Sequence, residues 1–177
     1  MKRRNMILVV IGFLFMVNAE ARPVILLTHK DSVNMLKRII VESSAITGSS
    51  IGFAGSPSNT WYAFSWLINI ATASELVEMT THKNPVLRVY AYTGLLYRRY
   101  KPVAKVIQRM TEDTATVRTF SGCIMGTTTV GDAINNTGIW YSREGIQEVW
   151  KNIQANGSYR KELFNALRDR VPIKRFS

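Results

Sequence analysis

The stretch Asn84-Pro85-Val86-Leu87-Arg88-Val89-Tyr90-Ala91-Tyr92-Thr93-Gly94-Leu95-Leu96 fixes both the start and one face of a helix. The Asn84 side chain can accept from the free amides of a first helical turn, and Pro85 lacks the amide that would go unpaired there. Leu87, Ala91, Leu95 and Leu96 then share one side, with a small residue at its centre where a second helix can approach and cover it. A shift of 28 residues lays Ser56-Pro57 under Asn84-Pro85 and Tyr62-Ala63-Phe64-Ser65-Trp66-Leu67-Ile68 under Tyr90 to Leu96. A second shift brings Phe120-Ser121-Gly122-Cys123-Ile124 under the last five positions, with Glu112-Asp113 replacing the cap and proline. Recurrence at a fixed spacing marks stacked units, none of which buries its apolar face alone.

The N-terminus predicts export. Lys2, Arg3 and Arg4 precede an apolar run from Met6 to Val17, and Ala19-Glu20-Ala21 supplies the small-x-small pattern of a signal-peptidase site, so residues 1–21 read as a cleaved Sec-type signal peptide. The run is shorter than the roughly 18 to 20 residues a permanent spanning helix needs, and no later stretch is long enough. Residues 22–177 are then a single domain in the periplasm or outside the cell. The net charge of +11 falls to +9 as Lys2, Arg3, Arg4 and Glu20 are removed. Such a chain favours acidic partners, and export argues against nucleic acid. The one cysteine, Cys123, has no intramolecular partner, so packing alone must hold the fold.

Asp31-Ser32 predicts the start of a helix from Val33 to about Ala45 with Met35, Leu36, Ile39 and Ile40 inward. Residues 48–56 hold three glycines and read as a loop pinned by Ile51 and Phe53. Pro57 to Ile70 predicts an aromatic-rich helix, and Thr72-Ala73-Ser74-Glu75 matches a capping box opening a short helix to about Thr80. His82 reads as a solvated turn residue. The helix from Asn84 runs to about Tyr100, and Pro102 opens another to about Met110 with Val103, Val106, Ile107 and Met110 on one face.

Over residues 72–100 the chain resembles a HEAT-type helical repeat, in which the second helix of a unit carries a Val-Arg, Ala, Ala, Leu pattern. Leu87-Arg88, Ala91, Gly94 and Leu95 stand at the same mutual spacing, with Asn84 in place of the usual Asp. The resemblance implies an all-α or mostly α fold, an irregular stack of antiparallel helix pairs whose surfaces hold a protein partner. Residues 113–131 are the exception. Val117, Phe120, Ile124 and Met125 keep helical spacing, yet the β-branched residues and Gly122, Gly126 and Gly131 favour an extended or β-hairpin segment. Helices are expected again from Ser142 to about Gln154 and from Tyr159 to about Arg170. The core is expected to include Leu36, Ile40, Trp66, Leu67, Leu76, Leu87, Ala91, Leu95, Ile107 and Trp150.

Little in the chain points to catalysis. Cys123 would need His29 or His82 beside it, and its alignment with Leu67 and Leu95 predicts a small buried side chain instead. No metal-ligand spacing, phosphate loop or cofactor motif is present. What remains is charge: Arg98, Arg99, Tyr100, Lys101, Lys105 and Arg109 gather at one helix junction, as a contact surface or as cations complementing a helix C-terminus. Arg160, Lys161, Arg168, Arg170, Lys174 and Arg175 form a second basic zone. The expectation is a non-enzymatic envelope or periplasmic protein-binding or adaptor module without cofactor or metal. An immunity or inhibitor protein against a toxin enzyme is the alternative, and a Cys-dependent hydrolase the remote one.

Overall fold

A computed structural model describes residues 28–100 and 104–136, together with 147, 151, 154 and 155. The signal peptide, Lys101, Trp150, the last expected helix and the second basic zone lie outside the described residues, and of the helix expected from Ser142 to about Gln154 only residues 147, 151 and 154 are described, all helical. In chain order the elements are α1 (His29–Ser43), β1 (Ala45–Ile51), β2 (Ser56–Pro57), α2 (Asn59–Ile70), α3 (Ala73–Met79), α4 (Pro85–Tyr97), α5 (Ala104–Thr111), β3 (Thr116–Gly122), β4 (Ile124–Thr129) and α6 (Val130–Asn135). The strands form one mixed sheet in the order β2-β1-β3-β4. The chain is therefore mostly helical but α/β, and the expected all-α, HEAT-like stack of helix pairs is corrected.

Capping chemistry sets the helix boundaries. Thr28 and Asp31 form a capping box, starting α1 earlier than Asp31-Ser32 suggested. Thr72 and Glu75 form the expected box at α3, and Asn84 accepts from the Leu87 amide with Pro85 in the first turn of α4. At α2 the cap is Ser58, whose hydroxyl accepts from the Trp61 amide. Ser56-Pro57 belongs to strand β2 instead, and Phe120 to Ile124 belongs to the β3–β4 hairpin. Of the three segments aligned by the 28-residue shift, the first two are thus helical over residues 62–68 and 90–96 but capped differently, and the third is a hairpin.

The expected loop over residues 48–56 is the second correction. Ser44 closes α1 in the left-handed region (φ 53°), and the chain runs on as β1 with Ile46, Thr47 and Gly48 buried. Besides the short β2, its strand partner is β3, parallel, with Ala45 opposite Arg118 and Thr47 opposite Phe120. A parallel partner must come from far along the chain because a crossover connection intervenes; here α2 to α5 supply it. No local pattern near residue 48 could announce it. The extended reading of residues 113–131 holds: β3 and β4 pair antiparallel from Thr116 opposite Thr129 to Ser121 opposite Ile124.

The core centres on α2 and α4, both buried on most sides. The Phe64 and Tyr90 ring centroids lie 4.6 Å apart, and the Thr47 amide donates to the Tyr90 hydroxyl oxygen at 2.9 Å, fastening β1 to α4. The close approach between these two helices is made at Gly94, where a β-carbon would stand 2.8 Å from Ile68 Cγ2. Of the core residues read from the sequence, Leu36, Ile40, Trp66, Leu67, Leu76, Leu87, Ala91 and Leu95 are buried, whereas Ile107 is exposed. Val117 and Thr119 of β3 are buried and Thr116 and Arg118 exposed, so this part of the sheet packs one face on the helices and leaves the other open.

Candidate contact surface

The basic junction is dispersed by its own hydrogen bonds. α4 ends with the Arg99 amide donating to Leu96 O and the Tyr100 amide to Leu95 O, each at 2.9 Å, a Schellman arrangement with Arg99 (φ 55°) where glycine is usual. Arg98 turns back along α2, and its Nε donates to the Ile68 carbonyl at 2.6 Å. Burial lowers the Arg98 pKa, opposed by the nearby Glu75 and Tyr97. Arg109 Nη2 donates to Thr80 Oγ1 at the end of α3, at 2.8 Å. Arg98 and Arg109 therefore serve the C-terminal ends of two other helices, and Arg99, Tyr100 and Lys105 stay exposed.

The two imidazoles and the thiol are separated in the same way. His29 Nε2 lies 3.2 Å from both carboxylate oxygens of Glu75. The Asn84 amide donates to His82 Nδ1 at 3.0 Å, so His82 is half-buried at the start of α4 instead of solvated. Cys123 sits exposed at the turn of the β3–β4 hairpin, correcting its expected burial. Among the described residues no group of three His, Cys, Asp or Glu side chains could hold a metal ion. No described helix is long and apolar enough to cross a membrane.

The sheet carries a surface that the sequence reading missed. Because β1 and β3 run parallel, their C-terminal ends lie side by side, and the Gly52 amide at the β1–β2 turn donates to Gly122 O at 2.8 Å. Gly52 (φ 76°) and Gly55 (φ 63°) bracket Phe53-Ala54 and allow a tight four-residue turn. Phe53 at its tip is 99% exposed, and Ile124 and Met125 on the adjoining hairpin are 77% and 61% exposed. No known protein family, curated protein or solved structure matches the chain.

The segments that build this end carry no charge of their own. Residues 43–74 contain no Asp, Glu, Lys or Arg, nor do residues 119–131, and Arg118 is the only charged residue in the four strands. In a chain of net charge +11 that segregation leaves the two turns with no ion of their own to desolvate when they are covered. Leaving a Phe side chain in water forgoes roughly 1.5–3 kcal/mol relative to burying it. The signal in the sequence is the pairing of flanking glycines with a long charge-free stretch; the expectation that Phe53 pins its loop is corrected by its exposure.

Proposed function

We propose that the chain is an exported, non-catalytic protein-binding module that takes its partner at the apolar end of the sheet. The observation that carries this reading is the near-complete exposure of Phe53 beside Ile124 and Met125, on two turns that a backbone hydrogen bond holds together. Large exposed apolar residues on neighbouring turns favour contact with another macromolecule, and an aromatic anchor commonly dominates such contacts. The signal-like N-terminus supports an envelope or periplasmic setting, and the basic balance supports an acidic partner.

A photocrosslinking residue in place of Phe53, with one at exposed Asn34 of α1 as control, tests the reading in an extract of the exporting cell's envelope. Position 53 should capture one protein selectively. Phe53→Ser should then weaken binding to that purified protein by about 10- to 100-fold, the equivalent of one lost aromatic burial, without changing the circular dichroism spectrum. Equal capture from both positions, or an unchanged affinity, would reject the surface. A captured enzyme inhibited stoichiometrically would place the chain among inhibitors rather than adaptors.

A further inference from the structure

We infer that the β4 edge of the described sheet pairs with the same edge of a second copy, through β4 against β4 in antiparallel register centred on Thr127. This reaches beyond the partner surface at Phe53 and rests on different observations. Among the described strands nothing lies beyond β4. An edge strand is ordinarily protected by lysine, proline or a bulge, yet Ile124-Met125-Gly126-Thr127-Thr128-Thr129 has no charge and no proline, and its pairing with β3 is unbroken.

The direction of the unpaired backbone groups fixes the register. Val130 donates its amide to Ala115 O at 2.9 Å, extending the β3–β4 ladder by one residue. Hydrogen-bonded and non-hydrogen-bonded positions alternate along an antiparallel pair, so Ile124, Gly126 and Thr128 also address β3. The amides and carbonyls of Met125, Thr127 and Thr129 consequently point away from it. A two-fold axis perpendicular to the sheet keeps each face on its own side, and placing it at Thr127 sets Thr127 opposite Thr127 of the second copy. Met125 and Thr129 then stand opposite Thr129 and Met125 of that copy. A centre at Gly126 would leave Thr129 without an outward-facing partner.

Charge favours the same solution. Two strongly basic chains repel over most of their surfaces, and this edge brings no ion opposite another. Arg118, the only charged residue of the sheet, lies beside Thr127 in register. Its copy would be three strand spacings away, roughly 14 Å, beyond the Debye length of about 8 Å at physiological salt. The join would also bring a threonine beside Met125 on the open face. Because the two β4 strands run in opposite directions, the Phe53 ends would face apart, and one dimer would present two partner surfaces.

Sedimentation of the purified full chain should show reversible doubling of its mass at concentrations up to about 100 μM, the weak end for a small interface. Thr127→Pro removes only an outward amide, so it should leave the β3–β4 hairpin folded and the chain monomeric. Thr127→Lys, which sets two cations opposite each other, should do the same and covers the case that the proline variant does not fold. In a Cys123→Ser background Thr127→Cys should crosslink on mild oxidation, since facing hydrogen-bonded residues lie ~5.5 Å apart at Cα, within disulfide range. Thr129→Cys should not. A chain that is monomeric throughout, including one that pairs only with a foreign strand or a lipid surface, would overturn the inference. So would a dimer that persists in both the proline and lysine variants, or crosslinking at 129 in preference to 127. Capture by Phe53 is read separately, so either proposal can fail alone.

Discussion

Arg88 grips Asp113 through two parallel hydrogen bonds, Nε to Oδ2 at 2.8 Å and Nη2 to Oδ1 at 3.1 Å, with both side chains largely withdrawn from solvent. The pair joins α4 to the segment that leads from α5 into β3. Arg88 Nη1 also donates to His82 O at 2.9 Å, and Asp113 Oδ1 accepts from the Ala115 amide at 3.0 Å, so each partner orders backbone as well as the other.

Arg88→Ala and Asp113→Ala should therefore each cost about 2–3 kcal/mol in urea unfolding, because each strands a poorly solvated charge. The double variant should cost clearly less than the sum, as expected of residues in one network. Strict additivity would show that the two side chains act independently. Arg88→Lys should not restore stability, since an ammonium cannot reproduce the two-pronged geometry.

Acid should weaken the fold in two separate windows. Burial, then Lys37, Lys83 and Arg88, lower the His82 pKa below its ordinary 6.5, and protonation would remove the acceptor used by the Asn84 amide. The native state then binds fewer protons than the unfolded chain, so this contribution is held above about 6.5 and lost as the pH falls from there toward the lowered value. The Thr72 amide is the largest influence lowering Glu75 from 4.5; burial opposes it, and the Thr72 hydroxyl and His29 assist. Its contribution is present above 4.5 and disappears at lower pH. Unfolding free energies measured at descending pH should lose the first slope in His82→Gln and the second in Glu75→Gln. A slope left intact by its own substitution would reject that assignment.

The basic junction should separate into structural and exposed members. Arg98→Ala removes a cation from the C-terminal end of α2 and should lower stability by about 1–2 kcal/mol. The double reversal Arg99→Glu, Lys105→Glu should leave stability within about 0.5 kcal/mol, as exposed positions generally do. If those two residues steer a partner, the reversal weakens association at ~0.15 M salt and the difference closes near 1 M, where the Debye length falls to ~3 Å. Association rates that are indifferent to both changes would exclude the junction from contact.

What was legible in the sequence was local. Asn84-Pro85 and the Thr72/Glu75 box are capping signals completed within four residues, and the β-branched run before α6 announced a hairpin closed by adjacent chain. What was missed depends on distance. β1 looked like a glycine-rich loop because its parallel partner comes after four helices. Arg88 read as part of a HEAT-like pattern because nothing at residue 88 points to Asp113. The alignment of Cys123 with helical Leu67 and Leu95 fails because Cys123 stands at a turn, and Phe53 does not pin its loop because the turn between Gly52 and Gly55 carries it into solvent.

The parallel seam between Ala45 and Arg118 also sets a timetable for synthesis. At about 5–20 residues per second, β1 waits roughly 4–15 s for the strand that will flank it. Meanwhile its only sheet neighbour is the two-residue β2, and a lone hairpin of that size is at best marginally stable in water. Ile46 and the aromatic face of α2 therefore meet the surroundings before the residues that will cover them exist. For this chain the hazardous interval is built into the strand order, and a holding chaperone would be most useful between the emergence of β1 and that of β3.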